Sequence, residues 1–163
     1  ECAGAQKAGA ARQYLGRLGK VELGQVGVAA GYYQNGIWAR VGAALYLPEI
    51  WFDQDHAALR KRWHIPVERT FATKPQLGLQ LIRQAKVNEL AFAVVGMDSW
   101  YGRDGQLRAD LDAEHFVYMA DMPVDTQVYL VQPIVGVPET PPGKKGRPFS
   151  SPQVLNEAQA VEV

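Results

Sequence analysis

The stretch 91-AFAVVGMDSWYGRDGQLRADL-111 settles how this chain folds. A short apolar run ends near an acid, Asp98, and an aromatic pair, a glycine and a polar helix start come directly after it. AFAVV at 91–95 has the continuous apolar character of a strand buried on both faces, although periodicity alone leaves a buried helix piece open. Arg103 to Glu114 reads as a helix, with Leu107 and Leu111 four apart on one face. FVYMAD at 116–121 is strand-like again. Strands joined through a helix imply a parallel βαβ unit. In open α/β sheets functional groups gather at the carboxyl ends of the strands, and Asp98 stands three residues beyond the run.

Upstream, 74-KPQLGLQLIRQAKVN-88 places Leu77, Leu81 and Ile82, with Ala85, at helical spacing, and Pro75 suits a first turn. Before it, QVGVAAGYY at 25–33 and IWARVGAALYL at 37–47 flank Asn35-Gly36, a strong hairpin turn. A short helix fits 54–63, ended by Pro66. Residues 1–24 are rich in Gly and Ala and read as an extended, turn-containing lead-in, with Tyr14, Leu15, Leu18 and Val21 as apolar anchors. The predicted order is hairpin, helix, strand, helix, strand. Six of the ten prolines fall beyond residue 130, so irregular structure is expected over 131–163. The expected organisation is one α/β domain over 1–130 followed by that Pro-rich segment.

A chain of 163 residues with 47% hydrophobic composition builds one domain with a true core. Seventeen basic residues balance seventeen acidic ones, so no global field draws it to nucleic acid or an anionic membrane. A nucleic-acid role needs local patches. Cys2 has no internal disulfide partner, and three histidines without ligand spacing make no zinc cluster. No run approaches the about 18 apolar residues of a membrane span, and the N-terminus lacks the order of a signal peptide. These features point to a cytoplasmic protein without a membrane partner. The chain begins with Glu rather than Met, which fits a processed chain or a piece of a longer reading frame.

Asp98 has two readings. As a helix cap, it or Ser99 accepts backbone N–H bonds worth about 1 kcal/mol. As a ligand it needs partners, because magnesium takes several hard oxygen donors. Asp104, Asp110, Asp112 and Glu114 all fall in or beside the next helix, the ordinary home of surface acids. No phosphate-binding glycine loop, nucleophile elbow or cysteine nucleophile is present. Arg12, Arg17 and Lys20, and separately Lys144, Lys145 and Arg147, form patches that suit either solvent or phosphates. Trp38, Trp51 and Trp63 read as packing. Trp100 and Tyr101, directly after the acid, are the aromatics best placed for a substrate.

Four segments in order, GAARQYLGRLGKVELGQVGV (9–28), LYLPEIW (45–51), FATKPQLGLQLI (71–82) and MDSWYGRDGQLRADL (97–111), resemble bacterial insertion-sequence transposases of the DDE superfamily. The tail QPIVGVPETPPGKKGRP resembles the next segment of the same family. The resemblance implies an α/β, ribonuclease-H-like mixed sheet with flanking helices, and three acids holding two magnesium ions for DNA strand cleavage and transfer. Its second acid maps onto Asp98, as catalytic residue and metal ligand. Lys74 and Arg103 match family positions with structural or phosphate-contacting roles. DNA contacts are expected at Arg12, Lys20, Lys74, Trp100, Tyr101, Arg103, Lys144, Lys145 and Arg147. DNA is the implied partner, and a homodimer is compatible with it.

The departures are as informative. The first acid of the family lies on the first strand, just before the segment matching residues 1–14. The third lies in a helix whose Tyr and Arg neighbours are absent around Glu157 and Glu162. The expectation is therefore an incomplete sheet, lacking the first strand and the C-terminal helix, open at its centre and inert in cleavage by itself. A DNA-binding or interaction module without catalysis is one alternative. A magnesium-dependent phosphohydrolase using Asp98 with helix acids is another.

Overall fold

The structure, a computed structural model, describes residues 7–139 and 150–162. It is mixed α/β, divided into two compact units that meet in sequence at Ala120 and Asp121.

The first unit opens with β1 (Ala11–Leu15) and β2 (Lys20–Gly24), an antiparallel pair where the sequence promised only an extended, turning lead-in. Gly19 at φ +64° makes the reversal, a conformation that a β-carbon would resist. The second hairpin, β3 (Gly27–Gln34) and β4 (Ile37–Leu45), is the one Asn35-Gly36 predicts. Both turn residues take positive φ, 51° and 82°, the twist that matches the flanking strands. A register shift between Ala30 and Gly31 kinks the pair, and the Trp38 indole lies over Gly31.

Two short 3-10 turns, Glu49–Phe52 and Gln54–His56, lead into α1 (Ala57–Arg62). Trp51, 0% exposed, sits in the first of these and donates its Nε1–H to the Ala10 carbonyl at 3.0 Å. The helix α2 (Lys74–Val87) starts where Pro75 predicts. Thr73 and Gln76 form a reciprocal capping box, each side chain bonded to the other's backbone N–H. Leu77 and Leu79 are its buried leucines, whereas Leu81, Ile82 and Ala85 of the predicted stripe are only half-buried.

The strand predicted over 91–95 is displaced. β5 is Val95–Met97, and 91–94 lies outside any strand, with Val94 46% exposed rather than buried on both faces. The reason is pairing, since β6 (Tyr118–Ala120) offers three residues, opposite Val95, Gly96 and Met97, and no strand among the described residues pairs with 91–94. The pair is parallel, as the βαβ reading requires. Between them run α3 (Ser99–Gly102) and α4 (Gly105–Ala113); α4 is the helix predicted over 103–114, begun two residues later at its Asp104 cap, and α3 is a short turn of helix before it that the sequence did not announce. Leu79, Leu107 and Leu111 form the buried cluster, with Ile82, Met97, Tyr101, Phe116 and Tyr118 against it.

The second unit contains β7 (Gln127–Tyr129), β8 (Val135–Gly136), β9 (Gln153–Val154) and β10 (Ala160–Glu162), paired β7 with β10 and β8 with β9, both antiparallel. Among the described residues of 131–163 these ladders are the regular structure. Pro133, Pro138 and Pro152 stand beside β8 and β9 rather than inside them, where a missing N–H costs no ladder bond. Asn156 accepts the Ile134 N–H and donates to the Gln132 carbonyl, tying the strands.

Candidate functional site

Asp98 immediately follows β5, so it stands at the carboxyl end of a parallel strand, closer than the sequence placed it. Its backbone is extended, and its Oδ1 accepts the N–H groups of Trp100 (3.0 Å) and Tyr101 (3.1 Å). It is the N-cap of α3. The four-residue helix has too few bonds of its own to hold this geometry, so the cap sets where the aromatic pair points. The Asp98 side chain is exposed, and its other oxygen has no hydrogen-bond partner among the described residues.

The Trp100 and Tyr101 rings meet edge to face, 5.0 Å between centroids. Trp100 is 46% exposed. Tyr101 instead leans into the Leu79, Leu107 and Leu111 cluster, passing over Gly78 of α2 at a distance where an added β-carbon would make ordinary contact, 3.5 Å. Burial, and secondarily the Asp98 charge, push the Tyr101 hydroxyl above the usual tyrosine range. Across from them, the Lys74 ammonium lies 5.5 Å from the Trp100 ring and 5.1 Å from the Tyr46 ring. Partial burial holds its pKa below the usual lysine range. A cation between two aromatic faces is attracted by both quadrupoles. Among the described residues Lys74 has no carboxylate partner, so within them its charge is open to an anion.

The structure therefore brings together Lys74, Asp98, Trp100 and Tyr101, and adds Tyr46. Sequence reasoning missed Tyr46 as a site residue; its signal was an aromatic at the end of β4 just before Pro48, facing the start of the next long helix. Arg103 lies one turn beyond, exposed and in no ion pair among the described residues. Arg12 and Lys20 belong to the β1–β2 pair. Lys20 is 3.6 Å from Glu22, so its charge is partly matched. Lys144, Lys145 and Arg147 lie outside the described residues.

Three of the four helix acids have other employment. Asp104 caps α4 through the Leu107 N–H at 2.8 Å, Asp110 accepts from Gln106, and Glu114 pairs with Arg83 of α2. Among the described residues no three His, Cys, Asp or Glu side chains come together as a metal-holding group. No helix among them is long and apolar enough to cross a membrane.

No curated protein and no solved structure matches the chain. A family model described as DDE superfamily endonuclease matches residues 3–163, nearly the whole length, and the chain belongs to that family.

Proposed function

We infer that this chain is part of the catalytic domain of a bacterial insertion-sequence DNA transposase, with Lys74 and the Trp100 face as its DNA contact. The family implies a DNA substrate and nuclease-type chemistry. The observation that carries the reading further is the Lys74 ammonium, held between Tyr46 and Trp100 at the capped end of β5. A positioned cation beside an exposed indole suits a phosphate and a base of a DNA strand. Arg103 extends that surface by one turn. Arg12, Lys20, Lys144, Lys145 and Arg147 are proposed as further phosphate contacts. The β3–β4 hairpin and the parallel β5–β6 pair are proposed as parts of the ribonuclease-H-like sheet.

Superfamily members generally use divalent metals, and magnesium is the proposed ion. The described residues do not fit such a site by themselves. One Asp98 oxygen is committed to two backbone N–H groups, and a hydrated magnesium is not fixed by the single remaining carboxylate oxygen. Asp98 is proposed as one ligand among others that these residues do not supply, and the polypeptide alone is expected to be inert in cleavage. That same commitment to capping favours a second reading, a DNA-binding module without catalysis.

The test is binding of the 163-residue chain to fluorescent duplex DNA between about 50 and 200 mM salt, with magnesium or with chelator. Binding that weakens with salt is expected, and Lys74→Ala should lower the salt slope by about 1. Magnesium-enhanced binding lost in Asp98→Asn favours the transposase reading. Binding indifferent to chelator and to Asp98→Asn favours the module. No binding at the lowest salt rejects both, and Asp98-dependent cutting of the DNA by this chain overturns the claim of inertness.

A further inference from the structure

Among the described residues, β1 and β2 form a ribbon that packs chiefly on itself. Its root is fixed. Ala10 and Ala11 are buried, the Trp51 indole N–H holds the Ala10 carbonyl, and Gln13 Nε2 donates to the carbonyls of Gly24 at 2.7 Å and Gly9 at 3.3 Å. The tip is fixed as well, since the N–H groups of Leu18 and Gly19 both bond to the Leu15 carbonyl. With five residues in each strand, the ribbon extends about 17 Å.

Its two faces differ. Strand alternation puts Gln13, Leu15 and Glu22 on one face, which closes on itself. There Gln13 turns back to the backbone, Leu15 lies against Gly24, and Glu22 accepts the Leu23 N–H and pairs with Lys20 at 3.6 Å. The other face stays open. Tyr14 and Val21 stand directly opposite each other on it, 55% and 53% exposed, with Arg12 two residues nearer the root. Arg17 lies in the turn, and neither arginine has a carboxylate within ion-pair distance among the described residues.

Cations therefore bracket an apolar centre. Arg12 and the Leu15–Lys20 rung are about 10 Å apart along the ribbon, with Arg17 beyond that rung. The major groove of DNA is about 12 Å wide and admits a two-stranded ribbon, whereas the minor groove, about 6 Å wide, is too narrow.

We propose that the β1–β2 ribbon lies across the major groove of a DNA duplex, with Arg12 on the phosphates of one wall, Arg17 and Lys20 on those of the other, and the Tyr14–Val21 pair on the floor. Charge complementarity selects this partner, because Glu22, the acid of the ribbon, is already engaged. Lys20 reaches its wall by exchanging Glu22 for a phosphate, and a solvent-facing pair of that kind is weak. The apolar pair selects the base. The thymine methyl group is the apolar feature of the groove floor, so the contacted pair is A·T. Phosphate contacts set the position of the duplex, and the floor contact supplies the sequence preference. The proposal rests on the reading that this chain binds DNA, but on none of Lys74, Trp100 and Asp98.

The test is binding of the full 163-residue chain to a fluorescent A·T-rich duplex, and to the same duplex with uracil in place of thymine, between about 50 and 200 mM salt. The thymine duplex should bind about fourfold tighter per contacted methyl group. Tyr14→Ala and Val21→Ser should abolish that difference and keep the salt slope. Arg12→Ala and Arg17→Ala should each lower the slope by about 1 and keep the difference, and Arg12→Lys should restore the slope. These positions are exposed, so each variant should melt within about 2 °C of the parent. Hydrogen exchange of the parent, which needs no variant, should slow over 11–24 when the duplex is added. Binding that responds to Lys74→Ala but not to the ribbon variants, without protection of 11–24, overturns the ribbon and leaves the DNA reading standing. No duplex binding at the lowest salt overturns both. Single-stranded DNA bound as tightly as duplex overturns the groove geometry. Protection of 11–24 that grows with protein concentration in the absence of DNA makes a second copy the occupant and overturns the proposal too.

Discussion

At Asp98 one carboxylate oxygen carries two backbone bonds, and the ring beside it feels the remaining charge. Tyr101 is titrated upward chiefly by its burial against the Leu79 cluster and secondarily by Asp98. A raised folded pKa contributes stability that is fully present below the unfolded tyrosine value of about 10. That contribution is lost as pH rises through the folded value. Lys74 is depressed by burial, so its contribution runs the other way, increasing as pH climbs toward the unfolded lysine range near 10.5. Tyr101→Phe should therefore remove the alkaline fall in stability above about pH 10 and leave the Lys74 rise. Urea midpoints measured from about pH 9 to 11 read this directly; an unchanged alkaline slope in the variant would sink the assignment. The cap itself was legible, because an acid before a polar helix start has a local signature. Tyr46 was not, because a cation between two rings is assembled from three elements distant in sequence.

Among the elements, α2 shows how far local chemistry reaches. Its start follows from Thr73, Pro75 and Gln76 alone, and the structure adds the reciprocal bonds at 2.8 and 3.3 Å. Thr73→Ala should destabilise the protein by about 1 kcal/mol, a melting shift of roughly 2–4 °C. Thr73→Ser should restore most of it. A Thr73→Ala melt equal to the parent's would mean that tertiary packing, not the cap, fixes the helix start. The Asn35-Gly36 hairpin was equally legible, since positive φ at both turn positions is a local property. The AFAVV strand was misplaced for the opposite reason. Its apolarity is real, but a strand exists only where a partner pairs with it, and β6 reaches Val95–Met97 alone. Composition tells that 91–94 is fit for a sheet interior; it does not tell whether a strand lies alongside, and among the described residues none pairs with it. The β1–β2 pair was missed likewise, because its glycines mask two strands whose register is set between them.

The first unit as a whole depends on a few long-range ties, since its apolar residues are divided between the Leu79 cluster and the region around Trp51. Arg83 of α2 holds Glu114 just past α4 through Nε at 2.9 and 3.1 Å, but both are solvent-facing and such pairs are weak. Trp51 is different. It is fully buried, its indole N–H reaches Ala10 across 41 residues of sequence, and Ala10 and Ala11 are buried with it. This contact fastens the start of the first hairpin to the segment after β4. Loss of the ring should cost about 3–5 kcal/mol. Domains are commonly stable by only about 5–15 kcal/mol. Trp51→Ala should accordingly lower the urea midpoint more than any other single substitution in the first unit. Trp51→Phe keeps most of the packing and leaves the Ala10 carbonyl unpaired, so it should cost about 1–3 kcal/mol. The ordering of the two variants is the decisive part. If phenylalanine were as damaging as alanine, the hydrogen bond would dominate the packing. If neither shifted the midpoint, the hairpin would be held by contacts other than Trp51.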